Sequence, residues 1–247
     1  MEAIKIIPRA LWKLFFLLNF LTGLIVLFPF FRVLLWNKKW FPVAFKLMRF
    51  WAWWIISTPG VFVKKEERFP IEKIEGPCVF CANHQSYLDI VISYCVFPQY
   101  FIFLGKAELD KAPLFRIFFE QMNILVERKS KIASANAYKK CAERIEKGES
   151  VFLFPEGTIS SKGKMIHFKS GAVKLAVEKQ VPIVPVTYVN NYKLLQNGGL
   201  FKSHGRPGIA RVVIHKPIET KGMSEKNLVS LNQLLFETIN EPFKNED

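Results

Sequence analysis

From Gly76 onward, short apolar runs alternate along the chain with segments in which apolar residues recur every three to four positions. The apolar runs predict six β-strands: Cys78–Ala82, Tyr100–Leu104, Ile124–Glu127, Val151–Phe154, Pro182–Tyr188 and Ala210–His215. The segments between and after them predict five helices: Ser86–Tyr94, Ala112–Gln121, Ile132–Lys147, Ser170–Glu178 and Ser224–Ile239. This alternation is typical of an α/β domain with a mostly parallel sheet flanked by helices, in which sites gather at the carboxyl ends of strands.

The N-terminal part has a different pattern, because Leu14–Phe31 is almost wholly apolar. As a helix it would extend about 27 Å, which is barely enough to cross the hydrocarbon core of a bilayer. Basic residues, which usually mark one side of a spanning helix, flank the run on both sides: Lys5, Arg9 and Lys13 before it, and Arg32, Lys38 and Lys39 after it. Gly23 and Pro29 also disfavour a straight rod.

A second apolar stretch, Phe41–Val63, carries Lys46 and Arg49 at helical spacing, which suits a helix lying in a membrane interface. The tryptophans indicate the same boundary, since all six lie in the first 54 residues: Trp12, Trp36, Trp40, Trp51, Trp53 and Trp54. We therefore favour a helical hairpin that dips into one leaflet over a single span. Because the second amphipathic stretch continues the first, we do not expect a cleaved signal peptide.

The sequence thus divides into residues 1–63, a membrane-associated two-helix segment, and residues 64–247, an α/β domain. The charged run Lys64–Glu67 and Pro70 are interpreted as the connection between them. The net charge of +14 from 35 Lys+Arg and 21 Asp+Glu implies an acidic partner, such as anionic lipid or an acidic carrier protein. Nucleic acid is disfavoured, because no binding motif is present and the aromatic residues collect in the apolar N-terminal part.

Two cysteines, Cys78 and Cys81, form a C-x-x-C pattern inside a predicted strand. Residues three apart in a strand point to opposite faces, whereas redox pairs need the start of a helix. We therefore interpret the four cysteines of the chain as reduced thiols in a reducing compartment.

His84 lies in the predicted turn between the first of these strands and the helix that follows. Asp89 falls in the first turn of that helix, where its carboxylate can reach the imidazole, fix its tautomer and stabilise its protonated form. Two structural alternatives stay open: a loop histidine with satisfied hydrogen bonds, and a Ser86-x-x-Asp89 capping box. The other histidines have no comparably placed acid and are interpreted as structural or surface residues: His167, His204 and His215.

The run Phe154–Thr158 reads F-P-E-G-T and follows another predicted strand, so it supplies candidate substrate-binding residues at Glu156, Gly157 and Thr158. Gly157 allows backbone N–H groups to turn toward an anion. Glu156 could accept a hydrogen bond from a substrate hydroxyl or pair with a neighbouring lysine. Three basic residues near strand ends are candidate phosphate ligands, although a solvated basic surface has the same pattern: Lys106, Arg128 and Lys169.

These blocks, in this order, resemble the glycerolipid acyltransferase family. That family has an N-H-x-x-x-x-D block, a basic second block, an F-P-E-G-T-R-S block and a V-P-[IV]-V-P block. The matching residues fall within about residues 78–190: His84 and Asp89, Arg128 at the end of Ile124–Arg128, Glu156 and Gly157, and Val181–Val186. Two departures concern the phosphate anchor and the second block. Ile159 stands where arginine is usual, and Met122 and Asn123 replace a glycine that often opens the second block.

The resemblance implies direct transfer of a fatty acyl group to the sn-2 hydroxyl of lysophosphatidic acid, giving phosphatidic acid. His84 would take the hydroxyl proton, Asp89 would orient His84, and backbone donors would hold the oxyanion. The donor would be a thioester of acyl carrier protein or coenzyme A, and the basic chain slightly favours the acidic carrier. No metal or bound cofactor is required, and the implied location is the cytoplasmic face of the cell inner membrane.

Other functions agree with the same residues. A member of this family could acylate glycerol 3-phosphate or another lysolipid, since the motifs define the reaction better than the acceptor. A non-catalytic membrane lipid-binding protein is the alternative from another class, although the intact His84, Asp89 and Glu156 disfavour it. A hydrolase is disfavoured, because Ser86 lies too close in sequence to His84 for easy attack and no G-x-S-x-G occurs.

Overall fold

The computed structural model describes residues 2–111, 114–127, 130–160 and 163–244. Within these residues the strands are β1 (Val61–Glu67), β2 (Val79–Ala82), β3 (Phe101–Lys106), β4 (Ile124–Val126), β5 (Ser150–Leu153), β6 (Ile183–Tyr188) and β7 (Gly208–Ile214). The α-helices are α1 (Glu2–Leu34), α2 (Phe41–Ser57), α3 (Leu88–Val96), α4 (Arg116–Gln121), α5 (Lys131–Glu146), α6 (Gly171–Lys179), α7 (Asn191–Leu194) and α8 (Leu228–Lys244).

The strands form one sheet in the order β1-β7-β6-β2-β5-β3-β4. Every neighbouring pair is parallel except β6 and β7, which run antiparallel. The predicted α/β domain, with a mostly parallel sheet flanked by helices, is therefore confirmed. Because β6, β2, β5 and β3 are consecutive and parallel, the residues that follow them meet at the same end of the sheet.

All six predicted strands are present, with ends that differ by at most two residues. β1 is the strand that the sequence pattern does not predict, so the interpretation of Lys64–Glu67 as a connection is wrong. These residues pair in parallel with residues 211–214 of β7 at the edge of the sheet. Only Val61 of β1 is fully buried, because an edge strand leaves its charged side chains in water. The division between residues 63 and 64 therefore passes through β1.

The predicted helices are present with shifted ends. α8 continues to Lys244, beyond the predicted end at Ile239. α4 begins at Arg116, whereas its predicted start, Ala112, lies outside the described residues. The short helix α7 has too few residues for a periodic pattern and is not predicted, yet it carries residues of the site described below.

Helices cover both faces of the sheet. α1, α2 and α3 pack on one face with Phe80 of β2, whereas α5, α6 and α8 pack on the other with Val79 and Cys81. Cys78 and Cys81 belong to opposite cores, which confirms that their spacing does not bring the two thiols together. All four cysteines are free and buried: Cys78, Cys81, Cys95 and Cys141.

α1 is one continuous helix of 33 residues, about 50 Å long at 1.5 Å per residue. Pro8 and Pro29 lie inside it, and Gly23 does not interrupt it, so the expected weakening of a straight rod does not break the helix. Packing explains why glycine occurs there, because a Cβ at Gly23 would collide with the indole of Trp51 on α2. Close contact between the two helices of the hairpin therefore depends on Gly23.

One side of α1 packs on the rest of the protein along most of its length. Phe16, Leu24, Leu27 and Phe31 are buried in the core that it shares with α2. The other side exposes a stripe of large apolar residues: Ile7, Leu11, Leu14, Leu18, Leu21, Ile25, Val26 and Val33. In the described part of the chain, the segment Ile6–Leu34 is long and apolar enough to cross a membrane, judged by length and composition.

The six tryptophans do not share one environment, which corrects the expectation that all of them mark a boundary. Trp51 is buried, because its position on α2 faces the core between Met48 and Ile55. The indole of Trp12 donates to the carbonyl of Pro59 at 2.8 Å. Three others are exposed: Trp36, Trp40 and Trp53.

Candidate active site

Three neighbouring parallel strands deliver the polar residues of the site. His84 follows β2, Glu156 follows β5 on one side of β2, and Asn191 follows β6 on the other side. All three side chains are buried at the carboxyl end of the sheet. The predicted gathering of polar residues at this end of the sheet is therefore present in the fold.

His84 and Asp89 are in direct contact. Nδ1 of His84 lies 2.9 Å from Oδ2 of Asp89, and the histidine side chain is 5% exposed while the aspartate is fully buried. His84 sits in the turn after β2 and Asp89 is the second residue of α3, as the sequence predicts. With Nδ1 bonded to the carboxylate, Nε2 is the ring nitrogen left to receive a proton from a hydroxyl group.

Asp89 is held by several donors besides the imidazole. Its Oδ2 atom accepts hydrogen bonds from the backbone N–H groups of Gln85 at 2.6 Å and Ser86 at 2.9 Å. Its Oδ1 atom accepts one from the side-chain amide of Asn191 at 2.7 Å. The bond from the Ser86 N–H is one of the two hydrogen bonds of the capping box considered above. Asp89 therefore both caps the start of the helix and orients His84. Four donors thus hold the carboxylate in one position.

The turn that carries the pair is fixed to β6 and its following loop. The side-chain amide of Asn83 donates to the carbonyl of Tyr188 at 2.9 Å and accepts from the N–H of Tyr188 at 2.8 Å. The hydroxyl of Ser86 donates to the carbonyl of Leu195 at 2.5 Å. Ser86 is fully buried and engaged in this way, which agrees with the argument against its use as a nucleophile.

Glu156 supports the same turn from the side of β5. One carboxylate oxygen accepts from the backbone N–H of His84 at 2.7 Å, and the other accepts from the N–H of Ile166 at 3.1 Å. Burial raises the pKa of Glu156 to about 7, the charge of Asp89 adds to the rise, and the two backbone donors oppose it. Each oxygen thus accepts a backbone hydrogen bond, and Glu156 holds the turn of His84 in position.

The imidazole opens onto a cavity of about 470 Å³. Phe154 stacks on the ring of His84 with a centroid separation of 4.0 Å and an angle of 15°. The remaining lining is mostly apolar and comes from the N-terminal hairpin, α3, β3 and α4, with Trp51 and Phe118 among its residues. A cavity of this size lies within the range of small-molecule sites in proteins.

The predicted binding residues are divided between two cavities. Lys106 and Thr158 line the cavity that contains His84. Gly157 and Lys169 line a smaller cavity of about 200 Å³, where the lysine side chain crosses close to the glycine. Leu104 and Phe154 line both cavities. Arg128 lies outside the described residues.

The mouth of the larger cavity carries one basic group beside His84. Lys106 is at the end of β3, and its ammonium lies 2.9 Å from the carboxylate of the exposed Glu108. Ile159, which replaces the usual arginine of the resembled family, lines this cavity and supplies no charge. Asn197 lines it too, and its amide oxygen is buried without a partner among the described residues. A ligand can therefore provide the donor that this oxygen lacks.

The other histidines occupy different environments. His215 is buried and contacts the hydroxyl of Thr187 at 2.9 Å through Nε2. Burial, together with the nearby Arg68, lowers the pKa of His215 to about 4. His167 and His204 are exposed. In the part of the chain that the structure describes, no group of three or more His, Cys, Asp or Glu side chains could hold a metal ion.

Three residues of the site were not singled out from the sequence: Asn191, Asn197 and Phe154 as a stacking partner. Asn191 could have been proposed by the same rule that identified His84, since it is one of two asparagines, Asn190 and Asn191, that follow the buried strand β6. Asn197 lies in an irregular segment after α7, where no pattern in the sequence indicates a contact with the cavity.

Comparisons with known proteins place this geometry in a family. The profile of the Acyltransferase family matches residues 60–189. A chloroplast 1-acyl-sn-glycerol-3-phosphate acyltransferase of Brassica napus is 37% identical over 147 residues, which are 58% of this chain and 41% of that protein. The 1-acyl-sn-glycerol-3-phosphate acyltransferase of Haemophilus influenzae is 30% identical over 183 residues, covering 72% of this chain and 74% of that protein.

The fold has a counterpart among solved structures. It is the crystal structure of the 1-acyl-sn-glycerophosphate (LPA) acyltransferase PlsC from Thermotoga maritima. The match covers 99% of this chain and 97% of that chain, with a TM-score of 0.75 and 23% sequence identity. At that identity the likeness establishes the fold. The match to the Brassica napus protein spans about two fifths of its length. The match to the Haemophilus influenzae protein and the family profile, which covers more than half of this chain, establish that the chain belongs to the acyltransferase family.

Proposed function

We propose that this protein transfers a fatty acyl group from an acyl thioester to the sn-2 hydroxyl of lysophosphatidic acid, giving phosphatidic acid. The observation that carries the proposal is the buried His84–Asp89 pair, which opens onto an apolar cavity next to a lysine. The names of the similar proteins from Brassica napus and Haemophilus influenzae supply the acceptor. The chemistry needs a base, room for an acyl chain and a cation for the phosphate.

His84 acts as the general base in this proposal. Nε2 removes the hydroxyl proton while the oxygen forms its bond to the thioester carbonyl carbon, and the thiolate of the donor then leaves with that proton. Asp89 keeps Nδ1 protonated and stabilises the imidazolium that forms between these steps. We assign the oxyanion to the backbone N–H and hydroxyl of Thr158, because Thr158 borders the cavity beside His84. The N–H of Gly157 already donates to the carbonyl of Phe154 at 3.0 Å. The mechanism contains no acyl-enzyme.

The apolar part of the cavity suits an acyl chain. Its lining includes Phe20 of α1 and Trp51 of α2, so the N-terminal hairpin forms part of the cavity wall. Burial of methylene groups against such a lining contributes about 0.8 kcal/mol for each group. An acyl chain bound here would hold its thioester toward the histidine, which makes the reactants neighbours before the bond forms.

The phosphate of the acceptor is assigned to Lys106, with Arg128 and Lys169 as further candidates from the sequence. Lys106 is the described basic residue that shares the cavity with His84. Its present partner, Glu108, is exposed, and an exposed ion pair of this kind is weak. A dianionic phosphate can therefore displace the carboxylate from the ammonium group.

The donor is proposed to be a thioester of acyl carrier protein or coenzyme A, with the net charge of +14 favouring the acidic carrier protein. Acylation of glycerol 3-phosphate or of another lysolipid is the second candidate within the family. The intact pair and its support by Glu156 and Asn191 oppose a non-catalytic lipid-binding role. Neither a metal nor a bound cofactor has a part in the proposed reaction.

The acceptor and the role of Lys106 are tested together. Purified protein is offered lysophosphatidic acid, its dephosphorylated monoacylglycerol, glycerol 3-phosphate and lysophosphatidylcholine, each with both thioester donors. We expect phosphatidic acid as the main product. In Lys106→Gln, the KM for lysophosphatidic acid is expected to rise about tenfold or more, the size of a lost charged hydrogen bond, with little change in kcat.

Glu108→Gln is the matched variant for this experiment, because it removes the competing carboxylate and leaves the lysine. Its KM for lysophosphatidic acid should stay the same or fall, opposite in direction to that of Lys106→Gln. Equal use of the acceptor without phosphate by the wild type would reject the phosphate site. A product other than phosphatidic acid would reject the proposed acceptor while keeping acyl transfer.

For the membrane, we propose a monotopic hairpin on the cytoplasmic face of the inner membrane, with single spanning as the alternative. α1 is fastened to the α/β domain, since Phe16 and Phe31 are buried and the side chain of Lys13 bonds to the carbonyl of Gly199 at 3.1 Å. A spanning helix would have to give up these contacts. The apolar stripe on its outer side can instead enter one leaflet while the helix stays parallel to the surface.

Cysteine labelling tests this topology. Because the four native cysteines are buried, single cysteines introduced as Glu2→Cys and Lys244→Cys can be labelled selectively, and the wild type serves as the blank. We expect an impermeant thiol reagent to label both positions from the cytoplasmic side alone. Labelling of position 2 from the outer side, with position 244 still labelled from the cytoplasm, would establish a span and reject the monotopic hairpin.

A further inference from the structure

A second, strongly basic cleft lies apart from the cavity that contains His84. It has a volume of about 440 Å³ and lies between the start of α1, the helix α7 and residues 204–206. We call it the cationic cleft, and its charged or chargeable residues are Arg9, Lys193, His204 and Arg206. Tyr192, Gln196 and Gly205 complete its described lining, which contains no carboxylate.

The cations of the cleft have no anionic partner in the part of the chain that the structure describes. Among the described residues, Arg9, Lys193 and Arg206 form no salt bridge. Lys193 instead stands over the ring of Tyr192, with its ammonium 5.7 Å from the ring centre. Like charges gathered around one concave surface repel each other, so an anion bound between them is favoured. Two arginines and a lysine are the residue types that bind phosphate best.

The position of Arg9 brings the cleft within side-chain reach of lipid headgroups when the outward side of α1 lies in the leaflet. Arg9 is seven residues before the buried Phe16 and therefore shares the inward side of α1, whereas Ile7 and Leu11 are exposed on the outward side. If the outward stripe enters the leaflet, Arg9 lies about one helix diameter, roughly 10 Å, above it. The headgroup layer extends about 5 to 7 Å beyond the hydrocarbon core. A phosphate in that layer can reach the long side chain of Arg9.

The cleft is also connected to the catalytic pair through α7. Asn191, the first residue of α7, donates to Asp89, and the carbonyl of Leu195 accepts from Ser86. The two walls of the cleft are joined by backbone hydrogen bonds of 2.9 Å, from the N–H of Arg206 to the carbonyl of Leu194 and from Gln196 to His204. A ligand that holds these walls together therefore holds α7 against the turn of the catalytic pair.

We propose that the cationic cleft binds the phosphate of an anionic phospholipid of the surrounding membrane, and that this contact holds α7 in the position that orients Asp89. The occupant is a lipid of the bilayer because the cleft includes Arg9 at the start of α1, the helix whose opposite side carries the apolar stripe. The site is separate from the acceptor site, since none of its residues lines the cavity of His84. Binding of a membrane lipid in the cationic cleft thus stabilises the orientation of Asp89.

Hydrogen–deuterium exchange of the full-length protein tests the proposal without any need for turnover. The protein is bound to vesicles of phosphatidylcholine alone or of phosphatidylcholine with about a fifth of phosphatidylglycerol. We expect the anionic vesicles to slow exchange of the amides in residues 191–196 and 204–206 by about tenfold relative to neutral vesicles. Such a factor corresponds to about 1.4 kcal/mol of added local stability.

Two double variants with the same loss of charge separate the cleft from general attraction to an anionic surface. Lys193→Gln with Arg206→Gln removes two cations of the cleft, while Lys216→Gln with Lys221→Gln removes two exposed cations elsewhere. We expect the protection by anionic vesicles to persist in the second variant and to disappear in the first. Equal protection in both would show that the cleft does not select the lipid, and would reject the site.

Inorganic phosphate at about 10 mM, with neutral vesicles, distinguishes a lipid headgroup from a free anion. Protection of residues 191–196 by phosphate alone, at the level given by phosphatidylglycerol, would assign the cleft to a soluble anion and overturn the lipid proposal. Absence of a difference between neutral and anionic vesicles would overturn it as well. Because exchange is measured without substrate, this result does not depend on whether the proposed acyl transfer is correct.

Discussion

His84→Ala is expected to lower turnover about 10³-fold while leaving the protein folded and bound to membranes. The variant removes the proposed general base, and general base catalysis contributes typically 10² to 10⁴ in rate. Asp89 keeps its two backbone donors and the amide of Asn191, so the turn after β2 retains its anchor. Turnover is measured with lysophosphatidic acid and an acyl thioester, and folding by thermal unfolding.

His167→Ala is the matched control, because that histidine is exposed and lies outside both cavities. Its turnover should equal that of the wild type. A turnover rate of His84→Ala within a few-fold of the wild-type rate would contradict the assignment of His84 as the general base. Isolation of an acyl ester on Ser86 during turnover would replace direct transfer with a covalent mechanism, although the bond from Ser86 to the carbonyl of Leu195 opposes it.

The strands could be predicted where burial leaves a continuous apolar run. β2 and β6 are buried at every position, and such strands are recognisable in a sequence without knowledge of their partners. β1 could not be recognised, because four of its seven residues are charged and it is held by pairing with β7, which is distant in sequence. An edge strand of this kind is defined by its partner and not by its own side chains.

Helix α1 is a second case in which contacts between distant residues determine a structure that the local sequence does not predict. Prolines and a glycine lower the intrinsic stability of a helix, so the sequence disfavoured an unbroken rod. In the structure, Gly23 allows contact with Trp51, and packing of the inward side against α2 and the α/β domain supports the helix. Tertiary packing here outweighs local preference, and the sequence pattern does not contain that contribution.

The contact between His84 and Asp89 was predictable, since the two residues lie within one turn and one helix start. Their distance follows from local geometry, and the contact of 2.9 Å agrees with it. Asn191 is 102 residues from Asp89 and reaches it only because β6 is next to β2 in the sheet. The location of Glu156 was also predictable, but the direction of its carboxylate was not, because its partners are backbone N–H groups of two other segments.

Asp89→Asn is expected to lower turnover about 10³- to 10⁴-fold with little loss of stability, and the surrounding hydrogen bonds explain both effects. In the variant, the amide oxygen can stay where Oδ2 accepts from His84, Gln85 and Ser86. The amide nitrogen then meets the side chain of Asn191, whose own oxygen is buried without a partner among the described residues. Rotation of the Asn191 amide by half a turn lets its oxygen accept from the new amide nitrogen, so the number of hydrogen bonds stays the same, and the Asn191 NH2 group takes the position of the oxygen that has no partner in the wild type.

The substitution therefore preserves the hydrogen bonds and removes the negative charge that stabilises the imidazolium, and losses of this size follow in histidine-based enzymes. We expect the unfolding temperature to stay within about 5 °C of the wild type. Adding Asn191→Asp to Asp89→Asn returns a carboxylate to the cluster but not to Nδ1 of His84, so turnover should stay low. Turnover of the single variant near the wild-type rate would show that the negative charge is unnecessary. Recovery of turnover in the double variant would show that the carboxylate need not contact the imidazole.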